Sequence, residues 1–246
     1  VIEPTEREFK KRTRRSFLVA AAAVAGGIFG YRWLDSRRTV DMIPWPLRSA
    51  LNFNEQIWRD LFKDTRLAPV FPKSQADEPR ENGEIGLDEE VTASDWRLMV
   101  EGGVDEQAAS EGLILDAIKA LPRYEIVTEL KCIEGWSQVV QWAGARFSDF
   151  YAQYGPWAKT EYVSMETPDG EYYVGLDMDS ALHPQTLLAY EMNDAPLSSG
   201  HGAPLRLVIP VKYGIKNIKR IGTIRFTNRR PSDYWAEQGY DWYAGH

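Results

Sequence analysis

The sequence is short of the residues that ordinarily build protein metal sites. Cys132 is its only cysteine, which excludes an intrachain disulfide and any Cys-rich zinc or iron–sulfur site. The three histidines, His183, His201 and His246, are too few for a polyhistidine centre. Gly-x-Gly-x-x-Gly and Walker-type loops are absent, which argues against a dinucleotide fold or an NTPase. No internal repeat is present. Positive charge is outweighed: 29 Lys/Arg against 36 Asp/Glu leave a net charge of −7, so no nucleic-acid partner is expected.

What is present begins with 246 residues that are 43% apolar, ample for one sizeable core. Nine Trp and twelve Tyr promise large rigid contacts. Residues 1–15 form a basic tail with six Lys/Arg, ending in Thr13-Arg14-Arg15-Ser16-Phe17-Leu18. An Ala- and Gly-rich apolar run from Phe17 to Tyr31 follows. A basic stretch before a short apolar one is an export signal, and the paired arginines resemble the twin-arginine signal. Val19 stands where that pattern often carries Lys. Residues 16–34 therefore read as a hydrophobic export signal or membrane anchor, with membrane association through them. Ala23-Val24-Ala25 offers a small-residue cleavage site, while Arg32, Trp33 and Leu34 extend the run toward a full span. If the anchor is kept, the tail is cytoplasmic and the main domain lies outside.

Charge is unevenly divided. Residues 195–232 contain no Asp or Glu but carry Arg206, Lys212, Lys216, Lys219, Arg220, Arg225, Arg229 and Arg230. A basic island in an acidic domain predicts either a local anion site or a solvated face.

Residues 35–50, with Pro44-Trp45-Pro46, read as a linker, and residues 51–246 as the main domain. Phe53, Ile57 and Leu61 recur at helical spacing, with Asn52 or Asn54 as a candidate cap. Residues 64–93 read as a long surface excursion. Strands are expected around 96–100, 124–130, 162–165, 172–174, 205–209 and 221–226. A short helix over 113–121 stops at Pro122, and His183-Pro184 predicts a helix running to Tyr190. Strands and helices mix without a regular βαβ repeat, so the fold class is α+β.

Cys132 falls at or just past the end of the 124–130 strand, before a turn at Gly135. Lys131 beside it is expected to favour the thiolate. Thiolates suit soft, redox-active metals, and one protein ligand is too few for zinc or iron. Further ligands then come from a cofactor, and the cationic segment after Arg206 is a candidate holder for its phosphate. The Gly214–Lys219 backbone is a candidate anion nest. A lone Cys is more often a small buried hydrophobe, so its context matters.

That context is Ala120-Leu121-Pro122, Lys131-Cys132-Ile133-Glu134-Gly135-Trp136-Ser137 and Trp142-x-Gly144, followed by the run His201–Lys219. These motifs resemble the molybdopterin domain of the sulfite oxidase family. The nearest branch is the bacterial twin-arginine-exported one that includes a periplasmic methionine sulfoxide reductase. The resemblance covers roughly residues 45–246. It implies one molybdenum–molybdopterin, with Cys132 as the metal ligand and catalytic residue. It further implies cofactor contacts from Thr167, His201, Arg206 and the loop Asn217-Ile218-Lys219. An early Asn and a Tyr-Glu pair of the family fall near Asn52, Asn54 and Glu55, in an open register. His201 replaces the reductase's Asn, and the extra Arg of the sulfite-binding enzymes is missing after Cys132.

The resemblance thus implies an extracytoplasmic molybdenum oxidoreductase moving an oxo group, with S-oxide-type reduction of a small substrate favoured. No Cys-x-x-Cys-His motif occurs, so electrons pass to or from a separate membrane haem or respiratory protein. Sulfite-type oxidation is the runner-up. A non-catalytic accessory subunit of a respiratory complex, and a phosphate-binding module without redox chemistry, are the other readings. Glu134 and Trp136 read as structural, and so does His183.

Overall fold

The computed structural model describes residues 6–78, 80–88 and 91–246, with side chains from residue 10 onward outside the two gaps. The first five residues of the basic tail lie outside the described residues. Contacts divide the chain into two units, 1–51 and 52–246.

In the first unit, helix α1 (Glu6–Asp35) carries the basic tail and the apolar run as one element. Its stretch Lys10–Asp35 is long and apolar enough to cross a membrane. A two-stranded hairpin, β1 (Thr39–Val40) and β2 (Ile43–Pro44), leads into α2 (Trp45–Leu61), whose residues from Asn52 onward belong to the second unit. The segment expected as a linker is therefore mostly ordered. Helix α2 begins seven residues earlier than Asn52, because Pro46 falls in its first turn, where a missing N–H costs no hydrogen bond. Asn52 and Asn54 are interior helix residues, not caps.

The second unit holds two sheets. Strand β3 (Met99–Glu101) is followed by short helices α3 (Glu106–Ser110) and α4 (Leu115–Lys119). Next come β4 (Arg123–Lys131), β5 (Ser137–Arg146), α5 (Phe147–Tyr154), β6 (Tyr162–Glu166), β7 (Tyr173–Asp177) and α6 (Met178–Ala181). The chain ends with β8 (Leu187–Met192), β9 (Ala195–Pro196), β10 (Arg206–Val208), β11 (Thr223–Thr227) and α7 (Tyr234–Glu237). One sheet runs β10-β8-β5-β4, with β9 also on β8; the other runs β3-β11-β6-β7. Among the described residues only the β3–β11 pair is parallel. The α+β class is as expected.

Alternation along the strands of the first sheet gives it two working faces. Ala145, Leu188, Leu205, Leu207 and Ile209 enter the main core with residues of the second sheet such as Val163, Met165 and Ile224. Val140, Trp142, Leu187, Ala189 and Val208 form a smaller cluster on the other face. At Gly144 the β5–β8 register shifts, and a Cβ there would stand 2.1 Å from the Leu188 carbonyl oxygen. Only glycine permits that approach.

The expected helix over 183–190 is a strand. His183 to Thr186 turn, and β8 then runs between β5 and β10. Leu, Ala and Glu are good helix formers, but two partner strands satisfy this backbone and its apolar side chains on both faces.

Candidate active site

Period-2 geometry brings the key residues together. Ile126, Leu130 and Cys132 share a parity along β4 and its extension, so Cys132 follows Leu130 onto the face that carries Trp142. Arg206 and Val208 share the same face of β10, between core residues Leu205, Leu207 and Ile209. Cys132 closes the β4–β5 turn: its N–H donates to the Trp136 carbonyl (2.9 Å), and its carbonyl accepts from Gly135 N–H (3.2 Å).

Above this face lies a cleft with about 1080 Å³ of empty space, part of it open to solvent. Cys132, His201, Arg206, Asn217 and Lys219 all line it. Arg206 is fully buried over the Trp142 ring, 4.6 Å from its centroid. Its Nη1 donates to the His201 carbonyl (3.1 Å) and its Nη2 to the Asn217 carbonyl (3.3 Å). Its Nε is buried without a partner. Among the described residues no carboxylate pairs with it, and burial alone pulls its pKa down to about 10. Lys219 Nζ donates to the carbonyls of Asn82 (2.8 Å), Gly83 (2.9 Å) and Gly200 (2.7 Å). Burial, with Arg206 nearby, pulls Lys219 down to about 8.

His201 ends a 3-10 turn, Ser199–His201, with its Nε2 4.0 Å from Glu81. Burial, then the charges of Arg206 and Lys219, lowers its pKa. The next residue, Gly202, has φ +91, and a Cβ there would meet Lys219 Cβ at 2.6 Å. Asn217 uses its side chain locally: Oδ1 accepts from Ile209 N–H (2.9 Å) and Nδ2 donates to the Tyr213 carbonyl (3.2 Å).

Several expected residues stand elsewhere. Ile218 is fully buried in the main core. Thr167 does not line the cleft; its hydroxyl donates to Asp169 (2.6 Å) and accepts from Tyr172 N–H (3.1 Å), shaping the turn that presents Tyr172 to the cleft. Asn52, Asn54 and Glu55 lie on α2 outside the cleft, and Glu55 accepts from Arg230 (2.6 Å). The thiol of Cys132 is not activated by Lys131. Adjacent strand residues point to opposite faces, and Lys131 turns to Glu129 (3.9 Å) and His246 (3.5 Å). Burial pushes the Cys132 thiol up, only partly offset by the Glu134 N–H.

The basic island is mostly structural. Lys212 pairs with Asp177 (3.7 Å) and Lys216 with Asp233 (2.5 Å), both buried. Arg225 pairs with Glu101, Arg230 with Glu55, and Arg220 donates to Ala203 O, Leu87 O and Ser199 Oγ. Arg206 and Lys219 are its members on the cleft. In the Gly214–Lys219 segment the N–H groups of Lys216 and Asn217 close a 3-10 turn instead of forming a nest.

Other lining residues had no sequence signal. The excursion 64–93 packs across β4 and β5 through Phe71 N–H to Val127 O (3.0 Å) and Asp77 N–H to Val139 O (2.8 Å). It thereby supplies Arg80, Asn82 and Ile85 to one wall. Arg80 lies over the Trp136 ring (4.7 Å), and Glu134 accepts from Trp136 Nε1 (2.8 Å) and Asn82 (3.4 Å). Tyr172, Trp235 and Tyr240 supply aromatic surface. Among the described residues no three His, Cys, Asp or Glu converge on a metal position. The cleft therefore offers one thiol and an uncompensated buried cation. That donor set fits an anionic cofactor that brings its own metal ligands.

Comparison with known proteins agrees with this chemistry. Residues 85–235 match the oxidoreductase molybdopterin-binding domain model. A protein of Azospira oryzae, provisionally named protein-methionine-sulfoxide reductase subunit YedZ1, is 38% identical over 202 residues, covering 81% of this chain and 76% of that protein. The protein-methionine-sulfoxide reductase catalytic subunit MsrP of Burkholderia mallei is 30% identical over 266 aligned positions, covering 98% and 78%. Its counterpart in Xanthomonas axonopodis is 36% identical over 158 residues, covering 58% of this chain and 48%, about half, of that relative. Among solved structures, the sulfane dehydrogenase SoxCD of Paracoccus pantotrophus shares the fold, with a TM-score of 0.52 at 20% identity, over 68% of this chain and 46% of that one.

Proposed function

Because this chain belongs to the oxidoreductase molybdopterin-binding domain family, the sulfite oxidase family, we propose that it is an extracytoplasmic reductase of S-oxides, with methionine sulfoxide as the substrate class its named relatives favour. The observation that carries this reading is the buried, carboxylate-free guanidinium of Arg206 in the same cleft as the lone thiol of Cys132. When bound, the cofactor would supply a molybdenum centre that exchanges an oxo group and two electrons. The balanced reaction is sulfoxide plus two electrons and two protons giving thioether and water.

The chain's own residues have distinct tasks. Cys132 is the thiolate that would hold the metal. Arg206, with Lys219 and His201, would hold the cofactor's anionic end through charge-assisted hydrogen bonds. Asn217 shapes that wall by tying Ile209 to Tyr213. Trp136, Trp235 and Tyr240 give an apolar, aromatic lining that suits a sulfur-bearing side chain and limits water. Glu134 joins the Cys132 turn to Asn82 and is a structural carboxylate in this arrangement.

Arg14-Arg15 ahead of the apolar run within α1 supports twin-arginine export, with residues 1–15 cytoplasmic and residues 51–246 outside as the catalytic domain. Electrons would come from a haem protein of the same membrane.

The test is molybdenum and pterin content of protein matured through its export route, beside Cys132→Ala, followed by turnover of methionine sulfoxide and of sulfite. About one molybdenum and one pterin per chain, metal lost in the variant, and sulfoxide turnover would support the proposal. Sulfite turnover alone would reverse the redox direction. Matured wild type without metal would remove the catalytic reading.

A further inference from the structure

Helix α2 is amphipathic in the inverted sense. Two of its charged residues turn inward: Glu55 accepts from Arg230 (2.6 Å), and Arg59 donates to the Tyr162 hydroxyl (2.9 Å) with its guanidinium over that ring. Its apolar residues turn outward. Phe53, Ile57 and Leu61 stand four residues apart and so share one helical face. Phe53 is 61% and Leu61 57% exposed, with Ile57, Trp58 and Leu47 also exposed. Leu47, Ala50, Phe53, Asn54, Ile57 and Leu61 form this stripe, and the exposed Asp60 stands at its edge beside Phe53. Exposed Leu67 and Val70 follow in the chain. A surface helix normally does the reverse, and a contiguous exposed apolar face marks an interaction site.

Chain length narrows what that face meets. Helix α1 ends at Asp35 and α2 begins at Trp45. The residues between, 36–44, span about 30 Å at full extension. The β1–β2 hairpin within them shortens that reach. Helix α2 is thus tethered close to whatever surface α1 enters, and α1 has the length and composition to enter a bilayer. Trp33 before this connection and Trp45 and Trp58 after it are half-exposed aromatics of the kind that settle at the headgroup level.

We propose that the outward face of α2, centred on Phe53, Ile57 and Leu61, lies in the lipid headgroup region as an interfacial helix, fixing the catalytic domain against the membrane. This assignment rests on α1 acting as a retained span. Interfacial helices bury their apolar face only shallowly, about 5–10 Å into the boundary, which suits a stripe one side chain deep. The cleft belongs to the same unit as this face, so the helix would also set how the cleft stands relative to a membrane electron donor.

The test uses the full-length matured protein in its native membrane, with p-benzoylphenylalanine placed singly at Phe53, Leu61, Val24 or Trp157. Trp157 is 93% exposed and outside α2, and serves as the solvent reference. After illumination, mass analysis of the chain separates phospholipid adducts from protein cross-links. Lipid adducts at Phe53 and Leu61 about tenfold above those at Trp157, together with lipid adducts at Val24, are expected. Lipid adducts at Val24 but none at Phe53 or Leu61 would overturn the proposal and leave the anchor standing. Cross-links from Phe53 and Leu61 to another protein, or to a second copy of this chain, would overturn it in favour of a protein interface. No lipid adduct at Val24 would remove the retained span, and the proposal with it.

Discussion

Burying a guanidinium without a carboxylate beside it is costly, and Arg206 is such a guanidinium. Two backbone carbonyls soften the cost, but Nε has no partner and the charge has no counter-ion. The group is retained at a cleft wall, where an anion would supply both. Arg206→Met is therefore expected to lower pterin content per folded chain by about tenfold or more, the worth of one strong charge-assisted contact. Removing the buried charge offsets the loss of two carbonyl partners, so the melting temperature of cofactor-free protein should stay within about 5 °C. Released pterin measured against melting curves checks both; unchanged pterin content would make Arg206 purely structural. At this scale the sequence was partly legible. Cys132 and the cations at 206 and 219 were visible as residue types with a family resemblance. That Lys212 and Lys216 are consumed by Asp177 and Asp233 was not, because those pairings join residues 17 or more positions apart. Lys131 does not activate Cys132, because adjacency in sequence is opposition in a strand.

The segment 206–219 shows how one element serves two ends. Its Arg206 and Lys219 ends meet the cleft, while its middle is bolted to β7 and the C-terminal region. Lys216 Nζ reaches both the Gly175 carbonyl (2.9 Å) and Asp233, and Asp233 also receives the Gly175 and Ala236 N–H groups. Lys216→Met leaves that carboxylate buried without its cation. A loss of about 3–5 kcal/mol in denaturant unfolding is expected, with pterin content of the surviving folded protein unchanged. A fall in pterin content without a fall in stability would instead put Lys216 at the cofactor. The β5–β8 contact is equally specific. Gly144→Ala has to separate two strands by moving the Leu188 carbonyl, and should cost at least about 1–3 kcal/mol by the same assay. Wild-type stability in that variant would mean that the close approach is absent in solution. The strands were legible where alternation and flanking turns agreed, as in β4, β6 and β11. They were hidden at β8, where Leu-Leu-Ala-Tyr-Glu-Met favours a helix locally and tertiary pairing decides otherwise.

One buried histidine links distant parts of the domain. His183 is fully buried, and its Nε2–H donates to the Arg66 carbonyl (3.3 Å) while Nδ1 accepts from Gln185 N–H (3.3 Å). Protonation would set an N–H against an N–H in a site where burial already lowers the pKa. Its two partners belong to the 64–93 excursion and the turn into β8, so the charge state of one ring bears on how the excursion is held over the strands beside the cleft. Residues 64–93 read as a surface excursion because Pro, Asp and Glu dominate them; the hydrogen bonds that join them to distant strands carry no local pattern. The unfolded chain protonates an ordinary histidine near pH 6.5, and the folded one only at lower pH. Between those values the unfolded state binds more protons, so stability is fully present above about pH 6.5 and falls as pH drops toward the folded pKa. Melting temperature should accordingly decline from about pH 6.5 to 5.5, above the range where carboxylates titrate. His183→Gln is expected to lower the plateau yet flatten that decline. If the decline survives unchanged in His183→Gln, the acid sensitivity belongs to His201 or His246, whose pKa values burial also lowers. If the wild type shows no decline, the neutral ring at 183 is not what holds the excursion in place.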